Sequence, residues 1–95
     1  MAVFIARVEL HGKSYDEEAY ARLHEAMQKV GFLREIESGD GTWYKLPPAE
    51  YYMKSNDTFM QAVDKAETAA GSITSKNSVI TSEINTARWN GLEKA

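Results

Sequence analysis

Arg7, Glu9 and His11 alternate along residues 2–12, Ala-Val-Phe-Ile-Ala-Arg-Val-Glu-Leu-His-Gly. The β-branched and aromatic content and the closing glycine make this run a strand. Residues two apart share a strand face, so the three ionisable groups stand in a row with Val3 and Ile5, neighbours roughly 6.5–7 Å apart. Phe4, Ala6, Val8 and Leu10 form the opposite, wholly apolar face. A guanidinium, a carboxylate and an imidazole in a row could work on a ribose–phosphate backbone. His11 could take a proton from a 2′-hydroxyl or give one to a leaving oxygen. Arg7 could hold a phosphate through two hydrogen bonds and stabilise its developing charge, and Glu9 could orient the imidazole or act as the second acid–base group. The plainer reading pairs Arg7 with Glu9 across strands or across a dimer, and leaves His11 as the start of a loop.

A second set lies mid-sequence. Trp43 and Lys45, with Arg34 on a neighbouring run, offer an aromatic face beside cations, as single-stranded RNA recognition uses. Against this, Trp43 serves equally well as a dimer contact. His24 follows Leu23 in a helical stretch and reads as a boundary histidine bonded to a neighbour. With two histidines and no cysteine, no metal site and no cofactor are expected; a magnesium ion held by Glu9 from two subunits has no further support.

Composition narrows the field. Ninety-five residues, 43% of them hydrophobic, make one domain, residues 1–95, with a single core. The formal charge of −3 argues against tracking duplex DNA, which needs a strong basic surface, but permits local contact with RNA. No run approaches the roughly 20 apolar residues that cross a bilayer. A cytoplasmic protein without a membrane partner is the expectation.

The elements that would position these residues follow from pattern. Ser14-Tyr15-Asp16-Glu17 has the form of a capping box. Tyr20, Leu23, Met27 and Val30 then recur at helical spacing up to Gly31, a left-handed stop. Residues 32–37 and 42–46 read as strands joined by Ser38-Gly39-Asp40-Gly41, a hairpin turn, and Pro47-Pro48 ends the second of them. Residues 49–53 resume an extended path. Ser55-Asn56-Asp57 offers N-caps for a helix bearing Phe59, Val63, Ala66 and Ala70, stopped by Gly71. A last strand covers 78–84, and in the tail, 85–95, Trp89 should anchor on the body or on a partner subunit.

This order, βαββαβ, predicts a ferredoxin-like α+β sandwich. Its four-stranded antiparallel sheet would have the first and third strands central and both helices on one face. The other face would carry Val3, Ile5 and the Arg7–Glu9–His11 row, with Trp43 and Lys45 beside them. So apolar a face suggests a homodimer.

Five segments also carry a family resemblance. They are Arg7-Val8-Glu9-Leu10-His11, Leu23-His24-x-x-Met27, Gly31-Phe32, Asp40-Gly41-x-x-Tyr44-x-Leu46-Pro47-x-Ala49-Glu50-Tyr51 and Trp89-x-Gly91-Leu92. In order and spacing the chain resembles the type V toxin–antitoxin endoribonuclease antitoxins (GhoS-like). These are related to the CRISPR-associated Cas2 proteins, ferredoxin-like folds that pair into dimers. The resemblance implies an antitoxin-like endoribonuclease that cuts the single-stranded messenger RNA of a small membrane toxin. It departs where Cas2-type enzymes carry an aspartate at the end of the first strand, since the nearest residue here is Glu9. The alternative of another class is a non-catalytic dimeric module, phage-encoded in origin, that binds protein or RNA.

Overall fold

β1 (Ala2–Leu10) is the strand on which the rest assembles. The computed structural model describes residues 1–11 and 17–95, so the capping box expected over residues 14–17 begins outside the described residues. After β1 come α1 (Glu17–Lys29), β2 (Glu35–Glu37), β3 (Trp43–Lys45), β4 (Glu50–Ser55), α2 (Phe59–Ile73) and β5 (Asn77–Ile84). As the alternation requires, Phe4, Ala6, Val8 and Leu10 are all buried. They share one cluster with Ala19, Leu23 and Met27 of α1 and Ala62, Ala66, Ala69 and Ala70 of α2. Both helices therefore cover the apolar face of β1. The small residues on α2 let its backbone lie close to α1 and the sheet. Its start is fixed by a capping box, Thr58 Oγ1 accepting from the Gln61 N–H at 3.1 Å while Gln61 accepts from the Thr58 N–H at 2.9 Å.

The sheet departs from expectation. It has three strands, in the order β4-β1-β5, and β2 and β3 form a separate two-stranded sheet; the four-stranded ferredoxin-like sandwich is not formed. β1 pairs antiparallel with β4, Arg7 opposite Glu50 and Ile5 opposite Tyr52, and on its other side with β5, Glu9 opposite Ser78. The neighbour of β1 is thus the run after the proline pair, and residues 42–46 never reach it. The reason lies in the backbone at 47–50. Pro47 and Pro48 have no N–H to lend a ladder. The Glu50 N–H turns back to the Pro47 carbonyl at 3.2 Å, and Ala49 takes a left-handed φ of 77°. The chain is redirected there, and Tyr51, Tyr52 and Met53 enter the interior.

The run 32–37 also divides. Leu33 exchanges two backbone hydrogen bonds with Tyr52, 2.7 and 2.8 Å, and after that single bridge the chain peels off β4 to pair with β3. The Asp-Gly turn forms as expected. The Asp40 carboxylate accepts from the Ser38 hydroxyl and, at 3.0 Å, from the Thr42 N–H. These bonds hold its pKa down to about 2. The tail completes this unit, since the Lys45 N–H donates to the Glu93 carbonyl at 2.8 Å and the Ala95 N–H to the Trp43 carbonyl at 2.9 Å. Trp89 anchors within its own chain, its ring edge-on to Tyr44 at 5.7 Å. The hairpin is held to the body by Trp43, whose ring meets Tyr52 edge-on at 5.9 Å.

Candidate functional site

The face of β1 that carries Arg7, Glu9 and His11 is an open one. Arg7 Nη2 lies 3.4 Å from Glu9 Oε1 and Nη1 lies 3.9 Å from Glu50 Oε2, with the Arg7 and Glu9 side chains about half exposed (53% and 51%). In that setting solvent screens such pairs heavily. His11 Nε2 sits 2.7 Å from Ser78 Oγ, across the β1–β5 ladder. The three groups are on one face, as alternation dictates, but they do not converge. Arg7 is engaged with carboxylates and His11 with a hydroxyl, and the small hollow that His11 lines with Arg22 and Thr74, about 60 Å³, includes neither Arg7 nor Glu9. Among the described residues no group of three or more histidine, aspartate or glutamate side chains is placed to hold a metal ion.

The apolar part of the same face is partly covered from within. Ile36 of the hairpin and Tyr52 of β4 are both buried. A cleft of about 400 Å³ separates Val3, Tyr52, Lys54 and Ile84 from Ile36 and Trp89. Ile80 of β5 remains 65% exposed.

Two of the three residues expected at an RNA contact do meet. Arg34 and Lys45 line one cleft of about 390 Å³ with His24 and Gln28 of α1, the apolar side chains of Phe32, Leu33 and Leu46, and Glu35. Local geometry brings them there. His24 and Gln28, four apart, share a face of α1. That helix ends in a left-handed glycine cap, with Gly31 at φ 103°, its N–H on the Gln28 carbonyl at 3.0 Å and the Phe32 N–H on the Met27 carbonyl at 2.9 Å. The cap turns Phe32 into the core beside Met27 and sends Arg34 outward past the end of α1. Lys45 reaches the same place because β3 returns opposite Glu35. Trp43, the third expected contact, is spent on Tyr52 and does not line this cleft.

The charges here are unequal. Among the described residues the Arg34 guanidinium has no salt-bridge or hydrogen-bond partner, and Lys45 has only Glu93 at 3.8 Å, both side chains exposed. Two cations and one carboxylate, Glu35, therefore line the cleft, and a second carboxylate, Glu93, sits beside Lys45. Behind them His24 Nδ1 lies 2.6 Å from the hydroxyl of Tyr51. Burial raises the Tyr51 pKa above its usual value. Partial burial, with Arg34 nearby, lowers that of His24. Tyr51 is fully buried and the imidazole is its hydroxyl's one partner among the described residues, so the phenol donates to Nδ1 and the ring's own N–H is assigned to Nε2.

His24, Gln28 and Glu35 were not among the candidates drawn from the sequence. His24 did carry a signal, a polar ring bordering the buried Tyr20–Leu23–Met27 stripe. Its nearness to Arg34 and Lys45 depends on where the hairpin returns, which no local pattern specifies. No protein-family model, curated protein or solved structure matches this chain.

Proposed function

We propose that this protein binds single-stranded RNA, with the Arg34–Lys45 cleft as its phosphate contact. The observation that supports this reading most is the convergence of two cations, one of them unpaired among the described residues, over the half-buried apolar side chains of Leu33 and Leu46. RNA-binding surfaces combine cations for the backbone with a flat group for a base, a part that the plane of an arginine guanidinium such as Arg34 can take. A gel-shift titration of an unstructured RNA against salt tests it. Arg34→Ala and Lys45→Ala should each weaken binding and each reduce the slope of log affinity against log salt by roughly 0.7, the single-strand value for one phosphate contact. Unchanged affinity in both variants refutes it.

A second reading, the antitoxin-like endoribonuclease acting as a homodimer, is favoured by one observation. His11 sits on the hydroxyl of Ser78, which lies opposite Glu9 on the open face of β1, so a base, a carboxylate and the Arg7 cation are all within reach of a backbone laid along β1. Cleavage lost in folded His11→Ala and Arg7→Ala would establish it. Intact RNA after incubation with the wild type leaves the binding module. No helix among the described residues is long and apolar enough to cross a membrane.

A further inference from the structure

The cleft at His24 is more selective than a backbone contact needs to be. A cation pair lying on a flat surface would serve any phosphodiester. Here the cations stand at one side of a hollow of about 390 Å³, within the range of small-ligand sites. Leu33 and Leu46 give it apolar walls, and Gln28 an amide able to donate and accept. The ring of His24 closes it, pinned through Nδ1 by Tyr51 so that its Nε2–H is the remaining donor. The donors available to an anion are then the Arg34 fork, the Lys45 ammonium and the His24 N–H, against the Glu35 carboxylate in the wall and the exposed Glu93 carboxylate that an anion would displace from Lys45. Arg34 and Lys45 together match the two charges of one phosphate monoester, whereas a single diester carries only one and a polyphosphate brings more than two cations offset beside Glu35 and Glu93.

We propose that this cleft holds a nucleoside monophosphate unit, its terminal phosphate between Arg34 and Lys45 and its base against Leu33 and Leu46. The unit is either a free mononucleotide or the phosphate-bearing end of an RNA strand. In the second form the assignment rests on the RNA-binding reading, and in the first it stands without it. Bound phosphate places two negative charges near the imidazole, so His24 should bind a proton more readily with ligand than without.

The test uses the full chain and follows the His24 ring by NMR during titration with 5′-AMP, 3′-AMP, adenosine and inorganic phosphate. A short unstructured RNA ending in phosphate or in hydroxyl is titrated in parallel. Expected are saturable shifts with a monophosphate, a raised His24 titration midpoint in the complex, and binding about tenfold or more weaker for adenosine and for phosphate alone. Arg34→Ala and Lys45→Ala should each cost roughly tenfold, the usual penalty for a lost charge-assisted hydrogen bond. Lys76→Ala, which removes an exposed cation outside the cleft, should bind as the wild type does. If RNA binds equally with either end, the terminal-phosphate assignment falls while RNA binding stands. If AMP binds and neither RNA does, the cleft assignment stands and RNA binding falls. If neither AMP nor phosphate-ended RNA moves the His24 ring, or if inorganic phosphate binds as well as AMP, the assignment is overturned.

Discussion

Tyr51 and His24 form a pair whose protonation states are set by where they sit. Tyr51 is fully buried, and its hydroxyl has the His24 ring as its partner at 2.6 Å. Such a bond contributes about 0.5–1.5 kcal/mol net, and an orphaned partner out of reach of water costs more than that. Tyr51→Phe leaves Nδ1 unpaired and should destabilise the fold by about 0.5–1.5 kcal/mol, seen as a lower urea midpoint at unchanged slope. The same pair gives the protein a pH dependence. His24 has its pKa lowered in the fold by burial and by Arg34, so the unfolded chain takes up that proton first as pH falls. The stability held by neutral His24 is complete above the unfolded value near 6.5 and is lost as pH drops through the folded one. His24→Gln should flatten the decline in urea midpoint between about pH 7 and pH 5 relative to the wild type. At this scale much was readable in advance. Alternation alone assigned Arg7, Glu9 and His11 to one face and Phe4, Ala6 and Val8 to the other. It did not give their partners, because Glu50 and Ser78 come from strands whose register only the folded sheet defines.

Among the elements, α2 shows how little side-chain volume a helix needs when it lies close to its neighbours. Its buried residues are all alanine, so its position depends on its ends and on close approach. Thr58→Ala removes an N-cap with both capping-box bonds in place and should cost about 0.5–2 kcal/mol, measured by urea unfolding. The helices were legible because a 3.6-residue period survives in the sequence, though their limits were less so. Ser55 and Asp57, expected to cap α2, instead bond each other and, through Asp57, Lys65. Gly71 does not stop the helix, which runs on to Ile73, since an interior glycine costs only about 1 kcal/mol. The strands were harder. β4 has no alternation to detect. Tyr51, Tyr52 and Met53 are buried in succession because helices cover one side of the strand and the hairpin covers the other. The run 32–37 reads as one strand because the point where it leaves β4, just past Leu33, depends on the length of the proline-bounded hairpin and not on its own residues.

The whole molecule has two parts of unequal depth. One is the layered core of β4-β1-β5 under two helices. The other is the β2–β3 hairpin with the tail laid along it, joined to the core by the Leu33–Tyr52 bridge and by the Trp43–Tyr52 contact. The cleft lined by His24, Arg34 and Lys45 crosses the seam between the two, with α1 on one side and the hairpin on the other. Both tryptophans of the sequence belong to the smaller part, Trp43 on β3 and Trp89 in the tail. Indole emission is therefore a local gauge, silent about the helices and sensitive to the hairpin, whereas far-ultraviolet dichroism is dominated by α1 and α2. On heating, the emission maximum should shift to the red several degrees below the loss of helical signal, since weakly bonded units open first, and superimposable curves would show one cooperative body. A ligand gripping the seam should draw the two curves together, so a spectrofluorimeter alone could report when the cleft is filled.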